Sequence, residues 1–142
     1  MIRLKLLKRR SNFSKTKIIL CPSFTSIKEV SDKISGHMID LGSQNVHHSS
    51  NGAYTGEISV DMLKEIECEW VILGHSERRQ YFTETNQIIK QKSIKLIQNN
   101  IVPIICIGET LEEKNRNAEV EKTRKYIFWG GPAKNKLFLK RI

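Results

Sequence analysis

One stretch concentrates groups able to move protons: Gly74-His75-Ser76-Glu77-Arg78, directly after the apolar run Trp70-Val71-Ile72-Leu73. An apolar run closed by a glycine reads as a buried strand that stops at a tight turn. His75 then lands at the strand's C-terminal end, and Ser76 and Glu77 open a short helical turn. A helix N-terminus beneath an imidazole disfavours the cation and keeps the ring neutral. A neutral imidazole can donate a hydrogen bond to a carbonyl oxygen that gains charge in a transition state. A histidine that merely caps a turn gives the same pattern, and position alone leaves both readings open.

The elements needed to hold such a residue recur along the chain. Residues 17–22, 39–42 with their continuation Gln44-Asn45-Val46, 70–74 and 101–107 are short apolar runs that read as strands. Between them lie helix-like stretches. Residues 25–37 put Ile27, Val30 and Ile34 on one face, and residues 58–69 do the same with Met62, Leu63 and Ile66. Residues 83–100 point Ile88, Ile89, Leu96 and Ile97 inward, and Thr110 to Glu113 has capping-box spacing. The polar residues 47–56 read as a long loop. Strand-then-helix units at intervals of roughly thirty residues imply a parallel sheet with crossover helices. Strands that are apolar throughout imply that both faces are covered. An open doubly wound sheet and part of a closed (β/α)8 barrel both satisfy this pattern. No Gly-rich dinucleotide fingerprint and no P-loop follows a strand, which argues against nucleotide binding.

The charge is uneven. The 142 residues carry a formal +9, yet residues 1–17 and 122–142 each hold seven basic residues and no acid, while residues 18–121 hold ten bases and fifteen acids. An acidic body repels phosphate backbones, so a nucleic-acid reading would rest on the two ends alone and is disfavoured. The Phe128-Trp129 pair there reads as an apolar cluster and not a stacking platform. Three cysteines, Cys21, Cys68 and Cys106, without CxxC spacing imply buried thiols in a reducing, cytoplasmic setting. His47-His48 lacks a partner at metal-ligand spacing and reads as a solvated loop pair. His37 reads as a helix-end residue and Glu112-Glu113 as part of a cap, not a catalytic dyad. No run is long and apolar enough for a membrane span, and no metal or cofactor is expected.

Two long stretches, Gly52-Ala-Tyr-Thr-Gly-Glu-Ile-Ser59 and Trp70-Val-Ile-Leu-Gly-His-Ser-Glu-Arg-Arg79, closely resemble triosephosphate isomerase. Ile19-Leu-Cys-Pro22, Gly42-Ser-Gln-Asn45 and residues 103–113 agree in unbroken order, so the resemblance covers about residues 17–119. It implies an α/β fold, an incomplete TIM (β/α)8 barrel of parallel strands with crossover helices. It also implies a family that interconverts dihydroxyacetone phosphate and glyceraldehyde 3-phosphate in glycolysis and gluconeogenesis, without a cofactor and as a cytoplasmic homodimer. By that resemblance His75 is the carbonyl-polarising electrophile and Glu77 supports it by contacting a strand-one lysine. Gln44 and Asn45 belong to the base of the dimer interface, and Thr55 is the tip of the loop that reaches the partner subunit. Cys106 matches a cysteine near the catalytic base, in a structural role.

Other family motifs are not found. The strand-one Asn-x-Lys pattern would fall before Met1, and residues 1–16 form an unmatched basic segment. Similarity fades near Val120, and residues 120–142 read as a divergent basic tail without the catalytic-glutamate motif, its hinged loop or the phosphate-binding glycine loops. A full barrel takes roughly 250 residues. The expectation is a truncated isomerase, inactive alone and possibly a pseudogene product, whose four strands leave bare edges and an uncovered inner face. The alternatives are a half-enzyme completed by a second chain and, last, a basic nucleic-acid-binding module.

Overall fold

A computed structural model of the chain describes residues 17–50, 52–108 and 127–128. Its elements in chain order are strand β1 (Ile19–Leu20), a 3-10 turn (Phe24–Ser26), helix α1 (Ile27–Ile34), β2 (Asp40–Ser43), α2 (Val60–Glu65), β3 (Trp70–Leu73), α3 (Ser76–Tyr81), α4 (Asn86–Gln98), β4 (Val102–Cys106) and β5 (Ile127–Phe128). Strands β1 to β4 are parallel, with Leu20 opposite Leu41, Gly42 opposite Trp70 and Ile72 opposite Ile104.

Strand order decides what composition left open. The strands lie side by side in sequence order, β1-β2-β3-β4. A doubly wound sheet reverses its order at a switch point, whereas right-handed crossovers that always add the next strand on the same side wind the sheet in one direction, as in a barrel. The sheet is therefore an arc of a (β/α)8 arrangement. β5 departs from the repeat: it pairs antiparallel with β4, Ile105 opposite Phe128 and Cys106 opposite Ile127.

Each helix has a local reason to form. In α1, Ile27 and Ile34 are buried and Val30 packs beside them, while Lys28–Asp32 and Glu29–Lys33 are paired at i,i+4 on the wet face. The Lys33 ammonium, as hydrogen-bond donor and neighbouring charge, holds the Glu29 carboxyl below its ordinary range. Ser31 Oγ donates to the Ile66 carbonyl at 3.0 Å and ties α1 to the end of α2. Helix α2 starts on Ser59, whose side chain accepts from Met62 N–H, and α4 starts on Thr85, which accepts from Ile88 N–H.

Two inward faces differ from the sequence reading. In α2 the buried pair is Val60 and Leu63, and Met62 is exposed. In α4 the buried residues are Ile89, Lys92 and Leu96, whereas Ile97 is 60% exposed. Neighbouring helical residues are turned about 100° apart, so Leu96 and Ile97 cannot both face the sheet.

The core has two layers. Leu41, Val71 and Leu73 pack beneath the helices with Val46, Val60, Leu63, Ile89 and Leu96. On the opposite face Ile19, Trp70 and Ile104 form a second cluster with Cys21, Ile72 and Val102 beside it. On the inner face, expected to be bare, Ile19, Trp70 and Ile104 are 8%, 5% and 0% exposed, whereas Cys21, Ile72 and Val102 are only partly buried. Adjacent strands bring these large side chains onto one another, and the far edge of β4 is hydrogen-bonded by β5. Gly42 fits tightly in this layer: a Cβ there would press on Cys21 Sγ and Ile19 Cγ2, which would have to move. At the start of the strands Trp70 Nε1–H donates to Asp40 Oδ2 at 2.8 Å, and Lys17 Nζ sits 2.6 Å from the same oxygen and 4.6 Å from the indole centroid. One of the basic residues of the N-terminal run is thereby held in the fold.

The orientation of α4 gives a direct test. Leu96→Ala is expected to cost about 2–5 kcal/mol in urea unfolding, as a fully buried leucine does. Ile97→Ala is expected to stay within about 0.5 kcal/mol of the parent chain. The reverse order would show that the helix faces the sheet with the other side.

Candidate functional site

Parallel strands deliver their C-terminal ends to one rim, so the segments after β1, β2, β3 and β4 meet there. These are Ser23, Gln44-Asn45, Gly74-His75 and Gly108. Gly74 is buried at φ +67, a left-handed conformation that glycine adopts without strain. A Cβ would also lie 2.8 Å from both Arg79 Nη2 and Ile89 Cδ1, so these two side-chain ends would have to shift.

His75 follows as the N-cap of α3, as the spacing implied. Its Nδ1 accepts from the backbone N–H of Glu77 at 3.4 Å. A nitrogen that accepts carries no proton, so this bond selects the tautomer with the proton on Nε2. The same Nδ1 lies 3.5 Å from Glu77 Oε2, an ion pair open only to the protonated ring. The two contacts at Nδ1 are alternatives. The ring is half-buried, so one side remains available to a ligand. Such an imidazole can offer Nε2–H to an oxygen that is gaining negative charge.

The turn is clamped from both sides. Gly74 N–H donates to Glu84 Oε2 at 2.9 Å, and Gly74 C=O accepts from Arg79 Nε at 2.8 Å. Arg79 also donates to Asn86 Oδ1 at 2.7 Å and reaches the Cys106 carbonyl at 3.4 Å. Glu84 is 3% exposed and Lys92 4%. The Lys92 ammonium donates to Glu84 Oε1 and, at 2.8 Å, to Asn45 Oδ1. Arg78 adds its Nε 3.4 Å from Glu84 Oε1. Burial alone would push the Glu84 carboxyl upward. The Lys92 ammonium, the Gly74 N–H and Arg78 outweigh it and hold the carboxyl below its ordinary value of 4.5.

The sequence-derived residues fall into distinct settings. His75 and Glu77 are together at the rim, and Glu77 is exposed. Gln44 is exposed and its amide donates to the Cys21 carbonyl at 3.0 Å, while Asn45 is buried against Lys92. Thr55 is exposed on the loop after β2. That loop carries a ring cluster, His47 stacked 4.3 Å from His48 and 4.1 Å from Tyr54, with His47 Nδ1 accepting from Ser49 N–H. Burial, with His47 and Lys92 nearby, lowers the His48 pKa against the opposing pull of Glu57. Cys106 is half-buried at the end of β4, and burial raises its thiol pKa although Arg79 opposes this. The Thr110 cap, Glu112-Glu113 and Trp129 lie outside the described residues, as do the side chains of Ile127 and Phe128.

Glu84 and Lys92 were missed from sequence. The signal available was Lys92 itself, set between Ile89 and Leu96 on the inward stripe of α4. Among the described residues, no group of three His, Cys, Asp or Glu side chains is placed to hold a metal, and no helix is long and apolar enough to cross a membrane.

A singly wound parallel β/α arc, with an N-cap histidine and a buried ion pair at its C-terminal rim, defines the class: part of a (β/α)8 barrel. The family model described as Triosephosphate isomerase matches residues 3–128, a wider span than the motifs alone mark. Relatives described as triosephosphate isomerase include that of Alkaliphilus oremlandii, 46% identical over 123 residues, covering 84% of this chain and 50% of the relative. That of Endomicrobium trichonymphae is 43% identical over 114 residues, 80% and 46% of the two chains, and that of Alkaliphilus metalliredigens is 45% identical over 97 residues, 68% and 39%. The chain belongs to the triosephosphate isomerase family. It spans about half the length, or less, of these relatives.

Two measurements test this chemistry. A carboxyl held below its ordinary value stabilises the fold fully above about pH 4.5, and that share fades as pH falls through the lower folded value. Glu84→Gln is expected to cost about 3–5 kcal/mol near neutrality, as breaking a buried pair does, and to flatten the stability-pH curve below pH 4.5. An unchanged acid limb would show that Glu84 carries none of it. Burial pushes the Cys68 thiol up to about 12 and the Cys21 thiol up to about 11. Alkylation at pH 8, followed by mass spectrometry, is expected to run on the order of a hundredfold slower than in urea at Cys21 and on the order of a thousandfold slower at Cys68. Equal rates would contradict their burial.

Proposed function

We propose that this chain is a partial triosephosphate isomerase that carries the carbonyl-polarising half of the chemistry and does not turn over triose phosphate by itself. The observation that carries this reading is the His75 ring, an N-cap whose Nδ1 accepts from Glu77 N–H and whose Nε2 is left as the donor. In the isomerisation a proton leaves the carbon next to a carbonyl, and negative charge develops on the carbonyl oxygen. His75 Nε2–H stabilises that oxygen and exchanges protons with the enediol oxygens. Glu77 supports the site from the same turn. Gln44 and Thr55, both exposed, belong to the surface that meets a second subunit, and the buried Asn45 lies at its base.

The proton-abstracting glutamate motif, the strand-one lysine motif and the phosphate-gripping glycine loops are not found in the sequence. Isomerisation needs a base to take the carbon proton and a phosphate grip to supply the binding energy that drives the step, and neither motif is among these 142 residues. A half-enzyme completed by another chain is the second reading, favoured by one observation: the His75 turn is fully built and clamped within this chain. The reaction is cytoplasmic glycolytic chemistry on a triose phosphate, and no nucleic acid takes part.

The test is an isomerase assay on purified chain, alone and mixed with a polypeptide supplying barrel strand one and strands six to eight of a relative. The expected result is no turnover alone. Turnover on mixing that His75→Gln abolishes would establish the half-enzyme. Turnover by the chain alone, lost in His75→Gln, would overturn the partial-enzyme reading.

A further inference from the structure

The geometry points to Glu84 and Lys92 as positioning residues that lock the His75 turn to the Asn45 turn, so that a change at either strand end alters the other. The inference rests on the reading of His75 as the functional imidazole, and it adds a coupling between that imidazole and the segment expected at the subunit interface.

His75 takes its direction from a glycine, and a glycine at φ +67 has no side chain to fix its peptide planes. Two hydrogen bonds do this instead. Glu84 Oε2 accepts the Gly74 N–H, and Arg79 Nε donates to the Gly74 carbonyl, so the planes on both sides of the residue are held. The Arg79 clamp is anchored by Asn86 at the start of α4. The Glu84 clamp depends on Lys92, whose ammonium occupies the other carboxylate oxygen. Lys92 spends a second proton on Asn45 Oδ1, and Asn45 directly follows Gln44 after β2. The chain of contacts therefore runs Asn45, Lys92, Glu84, Gly74, His75. All but the last are buried, so water cannot readily replace a lost partner, and removal of one leaves its neighbour to find a new arrangement.

The test is nuclear magnetic resonance of the imidazole nitrogens in the full chain labelled at histidine, well below the melting temperature, with circular dichroism to establish the fold. In the parent chain His75 is expected to show the Nε2–H tautomer set by Glu77 N–H. Lys92→Met and Asn45→Ala are each expected to shift the His75 signals toward an average of both tautomers. Lys90→Met, which removes an exposed charge from the same helix, is expected to leave them in place. Glu84→Gln keeps an oxygen that accepts from Gly74 N–H and is expected to preserve more of the parent pattern than Glu84→Ala. A role confined to stability would lower melting temperatures without moving His75 in the folded variants, and that result overturns the proposal. If Lys92→Met does not fold, Asn45→Ala decides, because it leaves the Lys92–Glu84 pair intact. No triose phosphate enters the measurement, so failure of the isomerase reading in the mixing assay and failure of the coupling remain separate results.

Discussion

The contact between the Lys92 ammonium and the Glu84 carboxylate constrains everything at the rim of the sheet. Removing either ion from water costs several kcal/mol, and their mutual attraction offsets this only when the remaining donors and acceptors also find partners. They do so in groups from three places: Gly74 N–H after β3, Asn45 Oδ1 after β2 and Arg78 in α3. Each partner is specific in direction, so the two strand ends and α4 have one mutual arrangement that satisfies all of them. An apolar pair of similar volume would fill the space equally well but would leave the Gly74 N–H without an acceptor. The polar pair therefore does what packing cannot, which is to orient a glycine peptide.

The sheet makes this arrangement possible. Parallel strands in sequence order send every strand end to the same rim, and crossover helices lie behind them. Helix α4 contributes to both layers of the problem: Ile89 and Leu96 pack against the sheet, while Lys92 between them reaches the rim groups. The second apolar cluster, Ile19 with Trp70 and Ile104, braces the other face and the Asp40–Trp70 bond fixes the starting end of the strands. Membership of the triosephosphate isomerase family agrees with this geometry: the long motif from Trp70 to Arg79 is the strand, the turn and the helix that build the His75 cap.

Much of the fold was legible in the residues. The run 70–73 closed by Gly74 gave the strand and its end, because an uninterrupted apolar strand needs both faces covered and only glycine takes the following turn. Ile27 and Ile34 fixed the inward face of α1 by spacing alone. Spacing failed in α2 and α4, where several apolar residues compete and only contact with the sheet selects among them: Val60 and Leu63 over Met62, Ile89 and Leu96 over Ile97. Strand order and the inner apolar cluster depend on long-range pairing, which local periodicity does not carry. At the site, His75 and Asn45 stood out by position after a strand. Glu84 and Lys92 did not, because their role arises from burial of a charge pair whose partners lie on other elements.

Native-state hydrogen exchange at the Gly74 amide tests the central claim most directly. The expected result is protection comparable to the core amides of β3 and β4, since a buried N–H bonded to an ionised carboxylate exchanges only when the rim network opens. Exchange as fast as at the exposed Thr55 would contradict the account, because the Glu84 clamp on the turn that aims His75 would then be missing.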